Sequence, residues 1–238
     1  MTQAVETSFP RIRPVADTGV LVEFGDTIDD VVHARVLAFD AALRRQPFAG
    51  MTEAVPAYAS VLVGYDPLEV GIAEVSAHVT TLMDEALGQQ PPPRTHEVLV
   101  CYEEPFSPDL ANVAERTGLS VDAVIAAHLA GDYRVFMYGF APGYAYLGGL
   151  PAEIQLPRKS NPVRGVPAGS LIVAGPQCLV TTLKMPTGWW VIGRSPTQIL
   201  RLDAEDPFLF AVGDHVRFGR IDTASLERLS RVGDEGAQ

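Results

Sequence analysis

The chain has 238 residues, 47% hydrophobic and 20% charged, a composition that supplies a real core and argues against disorder. Its 18 Lys and Arg against 29 Asp and Glu leave a net charge of −11. That balance excludes the clustered cations by which proteins grip nucleic acid or an anionic membrane, and leaves a soluble enzyme, an enzyme subunit or a protein-interaction module.

In chain order, residues 11–15 and 19–24 alternate as two short strands around a turn at Asp17-Thr18-Gly19. From Ile28 to Arg45 the apolar positions Ile28, Val31, Val32, Val36, Phe39, Ala42 and Leu43 fall at helical spacing, closed by Pro47. Thr52 to Pro56 and Ala59 to Tyr65 read as strands. A second helix carries Ile72, Val75, Val79, Leu82 and Leu87 on one stripe, with Gly88 past its end. This ββαββα order predicts a small α+β domain over residues 1–90, two helices on one face of an antiparallel sheet. The run Gln89-Gln90-Pro91-Pro92-Pro93-Arg94 is a stiff connector. Beyond it, residues 91–238 are expected to form a mainly β domain. His96 to Tyr102 is a strand, two short helices follow, and after Arg134 short β runs alternate with Gly and Pro turns, a pattern that closes into a barrel or sandwich.

Cys101 and Cys178 make neither a disulfide framework nor a CxxC pair. Residues 1–6 lack the pattern of a signal peptide, and no apolar run approaches the roughly 20 residues of a membrane span. A reduced, cytoplasmic protein is expected.

Residues 110–125 have the outline of a DNA-reading helix-turn-helix, with small Ala114, a turn at Gly118 and a Ser120 cap. The would-be reading helix offers Val121, Asp122, Ala123, Ala126 and His128, with nothing to meet a base edge and a carboxylate facing the phosphates. A structural helical hairpin is the better reading. His128 shares a stripe with Val121, Val124, Ile125 and Leu129 and ends near Gly131. It is either a core histidine or an acid, base or clamp poised by a helix C-terminus that favours imidazolium.

Between Phe136 and Pro151, Gly139, Gly143, Gly148 and Gly149 alternate with aromatic residues. Such a loop either presents backbone N–H groups to an anionic ligand or forms a barrel corner. Positive charge then gathers at Arg158, Lys159, Arg164, Lys184 and Arg194, with Asn161, Gln177 and Trp189 among tight turns. Arg clamps carboxylate or phosphate two-pronged and Lys acts as a point charge, so an anionic ligand is expected here. Metal-binding and serine-hydrolase motifs are absent.

Gly139-Phe140-Ala141-Pro142-Gly143-Tyr144-Ala145-Tyr146-Leu147, Leu156-Pro157-Arg158, Val166-Pro167-Ala168-Gly169-Ser170 and Gly188-Trp189-Trp190-Val191-Ile192-Gly193-Arg194 resemble the family called allophanate hydrolase subunit 1, the B-type subunit of 5-oxoprolinase or KipI, also described as carboxyltransferase subdomains C and D. The resemblance implies an α+β N-terminal domain, a cyclophilin-like C-terminal barrel and a partner like the C-type subunit (allophanate hydrolase subunit 2). It implies ATP, with Mg, as a substrate of the complex, no tightly bound cofactor, and opening of 5-oxoproline to glutamate. The alternatives it carries are a KipI-like inhibitor of a histidine kinase and a carboxyltransferase- or allophanate-related subunit acting on another small amide. By position, His128 matches the family's histidine before a Tyr-x-Val strand, Arg158 its Pro-Arg, Gln177 its Gly-x-Gln, and Trp189 and Arg194 its Gly-Trp and Gly-Arg. On this reading His128 is expected to be catalytic or orienting, and Arg158, Arg164, Gln177, Lys184, Arg194, Tyr144 and Trp189 to bind substrate, with Arg164, Lys184 and Tyr144 added for their charge and aromatic walls rather than carried over by position. Gly139 and Gly143 would then hold the nucleotide. Asn161-Pro162-Val163-Arg164, Pro176-Gln177-Cys178 and Thr187-Gly188-Trp189 depart from the family pattern, all within the presumed ligand wall.

Overall fold

Alternating side chains in four short strands define the first sheet. β1 (Arg11–Val15), β2 (Gly19–Glu23), β3 (Met51–Pro56) and β4 (Ser60–Tyr65) pair antiparallel in the order β1-β2-β4-β3. Val20, Val22, Val61 and Val63 share one buried face. Onto it pack Val36, Phe39 and Leu43 of α1 (Asp30–Arg45) and Val75, Val79 and Leu82 of α2 (Ile72–Glu85). Each such side chain stabilises the fold by about 1.5–3 kcal/mol when buried. Helix α1 starts later than the apolar spacing suggested because the Asp29 carboxylate accepts the N–H groups of Val31 and Val32, at 2.8 and 3.0 Å. Ile28 is left outside the helix and exposed.

The computed structural model describes residues 8–85, 92–201 and 205–235. The expected role of Leu87, the stop at Gly88, the leading part of the proline connector (89–91) and the polar start (1–6) lie outside these residues. The chain divides into two compact units, Met1–Pro92 and Pro93–Gln238.

In the second unit seven strands close into a barrel. They are β5 (Thr95–Cys101), β6 (Tyr133–Tyr138), β7 (Ala145–Gly148), β9 (Ser170–Ala174), β10 (Gln177–Val180), β12 (Trp190–Arg194) and β13 (His215–Ile221). Around the barrel the order is β10-β7-β6-β13-β5-β12-β9. The pairings are antiparallel except for β13 with β5, which is parallel. The closed barrel expected from the resemblance is therefore present. Two further strands, β8 (Val163–Val166) and β11 (Met185–Thr187), pair with each other in a separate small sheet.

Helices α3 (Leu110–Thr117) and α4 (Val121–Ala130) form a tight hairpin. Gly118 takes φ 71° to end the first, and Ser120 Oγ accepts the Ala123 N–H at 3.2 Å to cap the second. Val113, Ala114, Val124 and Ile125 are buried in the barrel core, so the hairpin is core structure and its inner face is unavailable to DNA. The last helix, α5 (Thr223–Glu235), is opened by Asp222, whose carboxylate accepts the Ser225 N–H at 2.8 Å.

Candidate functional site

Strands β9, β10 and β12 bury both faces, and alternation assigns each residue to one of them. Leu171, Val173, Val180 and Ile192 point into the barrel core. Ile172, Ala174, Leu179 and Val191 belong to a second, outer cluster with Tyr144, Val166 and Trp189.

His128 sits on the inner side with no exposed surface. Its Nδ1 lies 2.8 Å from the Tyr102 hydroxyl and its Nε2 3.6 Å from Cys178 Sγ. Tyr133 donates its hydroxyl to the His128 carbonyl at 2.9 Å, and the Phe218 ring stands 4.6 Å from the imidazole. Burial pulls the His128 pKa down to about 3 and pushes Tyr102 and Cys178 up, so all three stay neutral. Of the two readings left open for His128, these surroundings are those of a core histidine. A helix dipole contributes at most about 2 kcal/mol to a charged histidine, and desolvation inside an aromatic shell outweighs it. His128 is thus a fully buried residue of the barrel core, with a contact at each ring nitrogen.

The outer cluster collects several of the other candidate residues. The Arg158 guanidinium stands 5.6 Å from the Trp189 ring centre, and the Tyr146 ring packs 5.9 Å from the same indole. Arg164 lies exposed on β8. Lys184 is also exposed, and its Cε is 3.7 Å from where a Cβ on Gly165 would sit. Gln177 opens β10, half-buried. Lys159 turns the other way. Its Nζ meets Asp109 Oδ2 at 2.6 Å, and the same oxygen accepts the Val191 N–H at 2.7 Å. The five cations close in sequence are therefore not one cluster, because neighbours on extended backbone point to opposite sides and Lys159 is neutralised within the fold.

Three N–H groups of the glycine-rich loop bond within it. Gly139 N–H bonds to the Tyr144 carbonyl, Ala141 N–H to that of Gly139, and Tyr144 N–H to that of Ala141, at 2.9–3.2 Å. These donors close the loop on itself. Gly143 takes φ 73° and is packed, a Cβ there lying 3.0 Å from both Thr182 and Leu200. It forms a tight corner of the barrel.

Along the outer face the apolar cluster gives way to Ser170, Thr181 and Arg194 at the strand ends. Arg194 is paired in register with Ser170. Here a cavity of about 580 Å³ opens between these strand ends, residues 196–200 and α5. Gly169, at φ 78°, forms part of the wall, and a Cβ there would fall 2.6 Å from the Ser195 carbonyl oxygen and 3.2 Å from Arg194 Cδ. Only glycine keeps both the turn and the approach. Thr181 Oγ1 accepts the Ser170 N–H at 2.9 Å and donates to the Pro167 carbonyl at 2.8 Å, which fixes the wall. Arg194 Nε is buried and has no hydrogen-bond partner. Its guanidinium stands 5.9 Å from the Phe106 ring centre. Burial lowers its pKa, yet guanidinium retains its charge. Of the residues expected to bind ligand, Arg194 alone lines this cavity, with Gly143 packed against two residues of its rim.

The sequence reading missed Ser195, Ser230 and Arg231 of the cavity wall, and α5 altogether. The signals for the helix were the Asp222-x-x-Ser225 cap and the Leu226, Leu229 spacing, three residues apart on one helix face.

The family model of the carboxyltransferase domain, subdomain C and D, matches residues 10–210. The chain belongs to this family. The matched segment contains Gly169, Thr181, Arg194 and Ser195 and ends before α5. A relative from Bacillus subtilis (strain 168), named as the B-type subunit of 5-oxoprolinase, is 38% identical over 222 residues, covering 89% of this chain and 92% of that protein. One of the same name from Escherichia coli O157:H7 is 31% identical over 204 residues, covering 86% and 93%. The crystal structure of TTHA0988 is 34% identical with a TM-score of 0.77, and covers 89% of this chain. This chain spans 40% of that longer one. Among the described residues no group of three or more His, Cys, Asp and Glu converges as metal ligands would, and no helix is long and apolar enough to cross a membrane.

Proposed function

We propose that the chain is one subunit of an ATP-dependent amide hydrolase of the 5-oxoprolinase kind, which opens 5-oxoproline to glutamate together with a C-type partner. The observation that carries this reading is the likeness to the B-type subunit of a 5-oxoprolinase over 92% of that relative's length, which leaves little of the relative unmatched. The chemistry fits the side chains available. A lactam resists water, and phosphorylating its oxygen at the expense of ATP makes the ring carbon an electrophile. Water then adds, the C–N bond breaks to leave an acyl phosphate, and a second water releases phosphate. Cations must spread the charge that develops on the transferred phosphoryl group. Arg158, Arg164 and Lys184 supply exposed positive charge beside the outer aromatic cluster, where a nucleotide would be met with its Mg. Tyr144 and Trp189 serve as packed supports behind them, and His128 keeps the barrel floor in register. A site whose cations are divided over the surface of one chain is suited to completion by a partner.

The test is co-expression with a C-type partner, followed by assay of ADP and glutamate with and without 5-oxoproline. We expect ADP release to rise with 5-oxoproline and to match glutamate formed. A complex that assembles but hydrolyses ATP at a rate indifferent to 5-oxoproline and related cyclic amides overturns the reading.

A further inference from the structure

Phe140 combines two costly properties. Its φ of 71° lies in the left-handed region that side chains other than glycine seldom adopt, and its ring is 75% exposed, so burial returns little of that cost. The loop nevertheless holds the ring in place. Its own hydrogen bonds close residues 139–144, and Thr182 Oγ1 donates to the Pro142 carbonyl at 2.6 Å. A strained aromatic residue presented on a braced loop is arranged as a pre-ordered contact, which gives up little freedom on binding.

The surroundings extend that contact. Tyr144 touches the Phe140 ring and shares the outer apolar cluster with Val166 and Trp189. Beside Thr182, Leu183 is 42% exposed, and the Lys184 stem lies near Gly165, next to exposed Arg164. An aromatic centre with apolar neighbours and a charged rim is the make-up of a protein interface. A small molecule is instead held in a concave site, whereas Phe140 stands out into solvent and outside the lining of the cavity beside α5. Charge gives the sign of the mate. Residues 133–201 carry seven Lys and Arg against a single acidic residue, Glu153, a net of +6 in a chain whose total is −11. Opposite potentials steer and align such surfaces.

We propose that Phe140, Leu183, Arg164 and Lys184 form the docking surface for the C-type partner, which offers Phe140 an apolar socket bordered by acidic side chains. Arg164 and Lys184 then lie on the seam between the two subunits, where a nucleotide would be met. That the partner is of the C type rests on the 5-oxoprolinase reading; the place of the surface and the chemistry of its mate rest on the geometry and charge of this chain.

Isothermal titration of the full chain into the purified C-type partner, at low and high salt, tests the surface alongside turnover of the complex. We expect Phe140→Asn, which suits the left-handed turn but removes the ring, to weaken association at least tenfold. The free variant should melt within about 4 °C of wild type, and Phe140→Leu should recover part of the lost affinity. Arg164→Glu combined with Lys184→Glu should weaken association at least tenfold at low salt and remove most of its salt dependence. Leu68→Asn, which changes a 94% exposed side chain of the first unit, should bind as wild type does. Wild-type affinity in Phe140→Asn overturns the proposal, as does an equal loss in Leu68→Asn. Association indifferent to the charge reversal overturns the acidic socket. A raised KM for ATP in Phe140→Asn with association intact assigns the ring to the nucleotide and overturns the docking role. Self-association that needs Phe140 while the partner binds as before makes the surface a contact between copies, which also overturns it. Failure of the wild-type chain and partner to associate does the same. A complex that needs Phe140 yet hydrolyses ATP at a rate indifferent to 5-oxoproline keeps the surface and defeats the 5-oxoprolinase reading. Turnover of 5-oxoproline by a complex indifferent to Phe140→Asn keeps that reading and defeats the surface.

Discussion

The inner and outer faces of β9, β10 and β12 bury polar groups in opposite ways. Inside, His128 has contacts at both ring nitrogens and is held neutral. Outside, Arg194 keeps its charge and carries a buried Nε without a partner. The difference teaches that burial alone does not mark a functional residue. A satisfied polar group is part of the packing, whereas an unsatisfied one is a cost that the rest of the fold must offset.

The largest expected effect lies inside. Tyr133 is fully buried, packs on His128 and Phe218, and donates to the His128 carbonyl. Tyr133→Ala should cost roughly 3–5 kcal/mol, read as a drop in the urea midpoint of the barrel unit. A loss below about 1 kcal/mol would mean that the inner face is not a tightly packed core.

His128 makes the same face pH-sensitive. Its pKa falls from 6.5 to about 3 on folding, so the unfolded chain takes up the proton first. Stability is fully present above pH 6.5 and is lost as pH falls toward about 3, at up to about 1.4 kcal/mol per pH unit. His128→Leu leaves the Tyr102 hydroxyl without this partner and should cost about 1–3 kcal/mol at neutral pH. The variant lacks the acid-sensitive group, so the two stability curves should converge near pH 5. Parallel curves from pH 7 to 4 would show that His128 takes up its proton as readily in the fold as in the unfolded chain.

The two faces also differ in how much of each was legible. The helices and strands of the first unit follow from apolar spacing, because each element buries one clean stripe, and α1 departs from it only through the Asp29 cap. The barrel was legible from its Gly and Pro punctuation and from the family blocks, but its site was not. Arg158 and Lys159 are adjacent in sequence, and nothing in their spacing says that one lies over Trp189 while the other meets Asp109. Charge proximity along a chain carries no information about the pairing that neutralises it. Arg194 was legible as a family residue, while its missing partner is visible only in three dimensions.

Asp109 tests that distinction. It holds both Lys159 and the Val191 N–H, so Asp109→Ala should cost roughly 1–3 kcal/mol. Lys159→Met should cost less, because removing the cation leaves Asp109 its backbone donor. A loss for Lys159→Met as large as that for Asp109→Ala would show that the ion pair, and not the backbone bond to Val191, holds this corner.

The smallest effect concerns strain beside the outer face. Phe140 has φ 71° and is 75% exposed, its ring touching Tyr144 at 5.7 Å between centres. A β-carbon in the left-handed region costs about 1 kcal/mol or more, which Gly would not incur. Against this, Gly enlarges the entropy of the unfolded chain by a comparable amount, and the ring contact with Tyr144 is lost. Phe140→Gly should therefore change stability by less than about 1 kcal/mol in either direction, since so exposed a ring adds little by burial. A loss of 2 kcal/mol or more in urea unfolding would show that the ring is anchored, and that the 139–144 loop draws its shape from Phe140 rather than from its own closed hydrogen bonds.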